Sequence, residues 1–119
     1  MQFAAQLSAG DTVFLTGDLG AGKTTLAKGI LLGLAYTEQV KSPTFTLVET
    51  YPLAIPVHHF DLYRLDDPSE LYEIGIEDYL DGQSICLFEW PEKGASVLTK
   101  PTYTIALTHN NENRLLHLL

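Results

Sequence analysis

Val13-Phe14-Leu15-Thr16 is a short apolar run that stops at Gly17, which predicts a buried strand entering a turn. From Lys23 the period changes. Leu26, Ile30 and Leu34 recur every fourth residue with Ala27 and Leu31 beside them, the pattern of a helix with a broad apolar face. The chain therefore opens with a strand, a glycine-rich loop and a helix. Residues 45–51 and 57–65 read as two further strands. Pro52 and Pro56 bound a turn between them, since proline cannot donate to a ladder. In the second of these strands, alternation puts His59, Asp61 and Tyr63 on one face and His58, Phe60 and Leu62 on the other. Asp67-Pro68-Ser69-Glu70 predicts a helix start, with Asp67 as N-cap, Pro68 in the first turn and Glu70 placed for a capping box. That helix is expected to reach Leu80, interrupted near Gly75. Ile85-Cys86-Leu87-Phe88 is fully apolar, too short for a helix, and ends in Glu89. Tyr103, Ile105 and Leu107 alternate with Thr102, Thr104 and Ala106 as a half-buried strand. A turn over 110–113 and a last strand over 114–119 complete the chain.

Composition narrows the class. A length of 119 residues suits one domain, spanning 1–119, with a core of its own. No apolar run approaches the roughly 18 residues of a membrane span. The first eleven residues carry no basic region of the secretory kind. The single cysteine, Cys86, allows no internal disulfide and suits the reducing cytoplasm, the expected location. Fifteen acids against seven bases give a net charge of −8, so direct, tight binding to a nucleic-acid backbone is not expected. Ten of the acids fall between Asp61 and Glu92, where Arg64 is the only base; that stretch is either a solvated face or a face for a basic partner.

Gly17-Asp18-Leu19-Gly20-Ala21-Gly22-Lys23-Thr24 matches G-x-x-x-x-G-K-[ST], the P-loop, and lies between a predicted strand and a predicted helix as that motif requires. Its glycines let successive backbone N–H groups converge on one phosphate, and the following helix aims its positive end at the same place. Gly17, Leu19, Gly20, Ala21, Gly22, Lys23, Thr24 and Thr25 are the candidate phosphate-binding residues. Lys23 reaches the outer phosphates, and Thr24 offers its hydroxyl to Mg²⁺. Ile85–Glu89 has the form of a Walker B strand, with a carboxylate at the end that faces the ligand crevice of an open α/β sheet. Glu89 is thus a candidate to hold Mg²⁺, against the reading of a strand-end glutamate in solvent. The polar face of His59, Asp61 and Tyr63 suggests an active-site wall, in which Asp61 orients attacking water or binds the water shell of Mg²⁺, and reads equally as the wet face of an edge strand. His58 and His59 are poor ligands for hard Mg²⁺. Thr44, in Ser42-Pro43-Thr44, stands where P-loop switches place a threonine that senses the γ-phosphate, though proline-turn chemistry also explains it.

Absent motifs narrow the field further. There is no N-K-x-D and no D-x-x-G, the marks of a GTPase. Only Arg64 and Arg114 are available where small-molecule kinases use several lid arginines. A minimal ATP-binding switch with Mg²⁺, slow or partner-dependent in hydrolysis, is the main reading. A small-molecule kinase and a nucleotide-binding module without turnover are the alternatives.

Five segments in order, GDLGAGKTT (17–25), KSPTFTLVE (41–49), HFDLYRLDDP (59–68), ELYEIGIEDYL (70–80) and ICLFEWPEKG (85–94), resemble the TsaE family, formerly YjeE. The resemblance covers nearly the whole chain. It implies a P-loop NTPase-like α/β fold, a mixed sheet with a parallel core flanked by helices. It also implies an ATPase that acts with the TsaD and TsaB proteins to make threonylcarbamoyladenosine in tRNA. By motif match Lys23 and Thr24 take the Walker A roles, Glu89 the Mg²⁺ role and Thr44 a switch role. Asp61 becomes a candidate for the hydrolytic step, and Trp90 completes the family's Glu-Trp pair. Family members usually carry a further N-terminal segment on the base-binding side of the pocket, where this sequence has only Met1 to Ala9. The family's other base contact comes from the turn near Asn113.

Overall fold

The computed structural model describes residues 6–17, 27, 29–31, 33, 47–110 and 113–118. Its elements are β1 (Thr12–Gly17), β2 (Val48–Tyr51), β3 (Val57–Asp61), α1 (Glu70–Glu73), α2 (Ile76–Tyr79), β4 (Ile85–Glu89), β5 (Tyr103–Asn110) and β6 (Asn113–Leu118), with a 3₁₀ turn at Pro91–Gly94 between β4 and β5. The strands form one sheet in the order β2-β3-β4-β1-β5-β6. β4 pairs parallel with both β1 and β3, and β1 pairs parallel with β5. The outer strands β2 and β6 run antiparallel to their neighbours. The expected mixed sheet with a parallel core is therefore present.

Both faces of the central strands are covered, which is why Ile85–Phe88 reads as an unbroken apolar run rather than an alternating one. On one face Val13, Leu15, Val57, Ile85, Leu87 and Ile105 pack with Ala27, Ile30 and Leu31, which are helical as their spacing predicts. On the other face Phe60, Cys86 and Phe88 pack with Leu62, Leu65, Leu71 and Ile76. Phe60 and Phe88 stack there at 4.4 Å, and Phe14 and Tyr79 meet them edge-on. The connection that follows β1 thus contributes to one face and the one that follows β3 to the other. In an open α/β sheet such a reversal marks the carboxyl ends of the strands as the expected ligand crevice.

Several boundaries differ from the sequence pattern, each for a local reason. β3 stops at Asp61 rather than Leu65, because the Asp61 carboxylate accepts the Tyr63 N–H at 3.1 Å and turns the chain. β3 is also an interior strand between β2 and β4, which removes the edge-strand reading of Asp61. β2 covers Val48–Tyr51, and the remainder of the expected strand, 45–46, lies outside the described residues apart from Leu47, whose carbonyl accepts the Asp61 N–H at 3.0 Å. The expected single helix is two short pieces, because Gly75 takes φ +76° and reverses the path between them. Upstream, the helix starts at Glu70, so Ser69 and not Asp67 is its N-cap, and no side chain caps it. The bonds read as a capping box instead hold the turn before the helix: Ser69 N–H donates to the Asp67 carboxylate at 2.9 Å, and Asp67 N–H donates to Glu70 at 3.2 Å. The Ser69 contacts hold the Asp67 carboxyl below its ordinary range. No helix among the described residues is long and apolar enough to cross a membrane.

Candidate functional site

The site is built where β3, β4 and β1 end side by side. Register aligns Leu15 with Glu89 and Glu89 with Asp61, so the two carboxylates occupy facing positions on adjacent strands. Gly17 closes β1 two residues past Leu15, with φ +137°, a conformation that glycine permits at the start of the G-x-x-x-x-G-K-T sequence. Alternation assigns Val57, His59 and Asp61 of β3, and Ile85, Leu87 and Glu89 of β4, to the face that carries Ala27, Ile30 and Leu31. The site thus lies on the side of the helix that follows the glycine loop.

Glu89 is not a solvent-facing strand end. It is 3% exposed, and its Oε2 lies 2.6 Å from Nε2 of His59, which is fully buried. A carboxylate in such surroundings needs a compensating donor. The other ring nitrogen, Nδ1 of His59, has no hydrogen-bond partner among the described residues. The donor that Glu89 needs is the Nε2–H of His59, which donates to Oε2. Asp61, half-buried, sits nearer the rim of the crevice and anchors the turn to Tyr63.

Trp90 follows Glu89 directly and adopts φ +57°, the one non-glycine residue in the left-handed region among the described residues. The conformation costs about 1 kcal/mol for a bulky residue. It turns the chain sharply into the 3₁₀ turn and lays the indole against Tyr63 at 5.0 Å, with the Lys93 ammonium 5.7 Å from the Tyr63 ring centre. Cys86 faces the opposite side of β4 and is core, as read. Burial pushes its thiol up to about 12. A separate cleft of about 370 Å³, lined by Phe14, Thr16, Pro91, Leu98 and Lys100, lies beyond that opposite face and does not include the carboxylates.

Of the residues singled out from the sequence, Gly17, Asp61 and Glu89 are described, and the fold brings the two carboxylates together. Leu19, Gly20, Ala21, Gly22, Lys23, Thr24, Thr25 and Thr44 lie outside the described residues. His59 is the residue that sequence reasoning missed as a partner of Glu89. The sequence places it with Asp61 and Tyr63 on a polar face that suggests an active-site wall, and makes it a poor ligand for Mg²⁺. Its position two residues before Asp61, on the same face, was the available signal.

A strand that ends in a G-x-x-x-x-G-K-T sequence, beside a parallel strand that ends in a carboxylate, defines a P-loop α/β protein. A solved structure agrees. The crystal structure of YdiB from Bacillus subtilis superposes with a TM-score of 0.78 at 34% identity, covering 95% of this chain and 70% of that one. The profile of threonylcarbamoyl adenosine biosynthesis protein TsaE matches residues 1–117, and the chain belongs to the TsaE family. It is 49% identical over 108 residues to the tRNA threonylcarbamoyladenosine biosynthesis protein TsaE of Haemophilus influenzae, covering 90% of this chain and 68% of that protein. It is 48% identical over 88 residues to the protein of the same name from Bacillus subtilis, covering 73% of this chain and 54% of that one. The chain therefore spans about half to two thirds of the length of these two curated relatives.

Proposed function

We propose that the chain binds and hydrolyses ATP in the cytoplasmic machinery that makes threonylcarbamoyladenosine in tRNA, acting with TsaD and TsaB. The observation that carries the ATPase reading is the row Leu15–Glu89–Asp61. It sets two carboxylates at the crevice edge, beside the strand that feeds the phosphate-binding sequence. Family membership carries the pathway.

In this reading the backbone N–H groups of 19–25 and the Lys23 ammonium hold the phosphates. Thr24 and Glu89 supply oxygen ligands to Mg²⁺. The donor chemistry fits, since Mg²⁺ takes oxygens and is commonly held by one or two carboxylates together with substrate phosphates and water. When bound, the ion neutralises charge on the phosphates. Asp61, one strand further and less buried, orients the attacking water. Thr44 responds to the γ-phosphate. The acidic stretch 61–92 serves protein partners and not the tRNA backbone.

Calorimetry with ATP, ADP, GTP and GDP, with and without Mg²⁺, tests the assignment. Adenine nucleotides are expected to bind more tightly than guanine nucleotides. Equal or tighter GDP binding, or transfer of phosphate to a small-molecule acceptor, would overturn it.

A further inference from the structure

We infer that His59 is a positioning residue for Glu89: it fixes one carboxylate oxygen so that the side chain presents a single orientation to a nucleotide-bound divalent cation. The inference rests on the ATPase reading above and adds to it a residue that the motifs do not contain.

Three observations carry it. First, Nε2 of His59 and Oε2 of Glu89 are 2.6 Å apart, and both side chains are buried, so water does not compete for the bond. Second, Nδ1 of His59 has no partner among the described residues. A buried histidine kept for stability alone would be expected to use both nitrogens, since a buried polar atom without a partner is costly. This ring forgoes one bond and keeps the bond to Glu89. Third, the register places His59 opposite Leu87 and Asp61 opposite Glu89, so the ring approaches the carboxylate diagonally from the strand interior, away from the carboxyl edge of the sheet. His59 lies too deep to touch nucleotide and acts through Glu89.

The physical role follows from the flexibility of glutamate. Three side-chain torsions give it rotamer freedom to lose on ordering. A buried hydrogen bond to a charged group is strong enough to hold one rotamer before the cation arrives. Partners of this kind, which orient a ligand without touching the metal, typically account for about 10–100-fold in metal affinity or activity.

The test exploits reach. In His59→Gln the amide nitrogen can stand near the place of Nε2 and still donate to Glu89. In His59→Asn the amide nitrogen stands nearer the place of Nδ1 and falls short. ATP affinity is measured for each with Mg²⁺ and with EDTA, together with turnover. For His59→Asn the Mg²⁺-dependent gain in affinity and the turnover should fall about 10–100-fold, with metal-free ATP binding retained; His59→Gln should recover most of the loss. Equal behaviour of the two variants, whether both intact or both impaired, would overturn the inference. A loss of metal-free binding in step with the Mg²⁺-dependent part would point to a structural role and overturn it as well. Nitrogen-15 NMR of the unmodified chain needs no variant. It should show the His59 ring protonated at Nε2 and bare at Nδ1, and the reverse tautomer would overturn the inference even if neither variant folds. Absence of any Mg²⁺-dependent ATP affinity in the unmodified chain would instead overturn the ATPase reading, and the role of His59 with it, while the NMR result would still report the hydrogen bond.

Discussion

Removing the buried pair one partner at a time should harm the fold, and removing both together should not. Glu89→Leu takes away the acceptor of the His59 Nε2–H. The ring is fully buried and its Nδ1 already lacks a partner among the described residues, so neither nitrogen then has one there. The expected cost is about 1–3 kcal/mol, the penalty for one buried polar group left without a bond. His59→Leu is worse, because it leaves a carboxylate at 3% exposure without its donor, at about 3–5 kcal/mol. The double variant puts two leucines among Leu15, Leu87 and Val57, in the packed face that surrounds the pair. It should lie within about 1 kcal/mol of the unmodified chain or above it, as replaced buried ion pairs often do. The resulting coupling is at least about 3 kcal/mol, at the upper end of what contacting residues show. Urea unfolding followed by far-UV circular dichroism, without nucleotide or metal, measures all four corners of the cycle. Additive losses, with a double variant as unstable as the sum of the singles, would mean that the bond contributes nothing in solution. A stable double variant without turnover would mean that the pair is retained for chemistry and not for stability.

Other variants test other parts of the account. Asp61→Asn keeps the oxygen that accepts the Tyr63 N–H and removes the charge, so the turn should persist while partner-stimulated hydrolysis falls about ten- to a thousandfold and ATP affinity changes little; unchanged turnover would remove Asp61 from the mechanism. Burial holds the Cys86 thiol at about 12 against 9.0 in an exposed chain, so above pH 9 the unfolded state releases a proton that the folded state keeps. Stability should therefore fall with rising pH by up to about 1.4 kcal/mol per unit, and the Cys86→Ala difference across that range isolates the effect. At neutral pH the native thiol should resist alkylation until the chain unfolds. Gly94→Ala would place a Cβ 2.7 Å from the Leu71 side chain, where the 3₁₀ turn presses on the core, and a loss of about 1 kcal/mol in urea titration is expected.

The parts of the fold that depend on near neighbours in sequence were legible. β4 was visible because a strand buried on both faces reads as a short unbroken apolar run, and its terminal Glu89 marked the carboxyl edge where the candidate site lies. The bonds among Asp67, Ser69 and Glu70 were visible because they span two and three residues, but they hold a turn, and the helix is capped at Ser69 instead. The end of β3 was hidden, since the alternation continues past Asp61 to Leu65, and only the bond from Tyr63 N–H to the Asp61 side chain stops the strand. Gly75 was seen as an interruption, but its positive φ, which splits the helix in two, depends on how Leu71 and Ile76 reach the core. The pairing of His59 with Glu89 spans 30 residues of sequence and requires β3 to lie next to β4 in one register. Nothing local encodes that adjacency, so both histidines were weighed as ligands for a hard cation and set aside, which was sound chemistry applied to the wrong partner. The left-handed Trp90 was equally invisible, since its conformation is imposed by the turn that follows β4.

The central claim is that the two carboxylates at the ends of β3 and β4 serve ATP hydrolysis coupled to the other components of the pathway. Single-turnover hydrolysis of ATP, with Mg²⁺ and in the presence and absence of TsaD and TsaB, tests it most directly. The account predicts slow cleavage by the chain alone, acceleration when the two proteins are added, and loss of that acceleration in Asp61→Asn and Glu89→Gln with ATP still bound. Tight ATP binding with no cleavage in any combination, or acceleration that survives both substitutions, would contradict it.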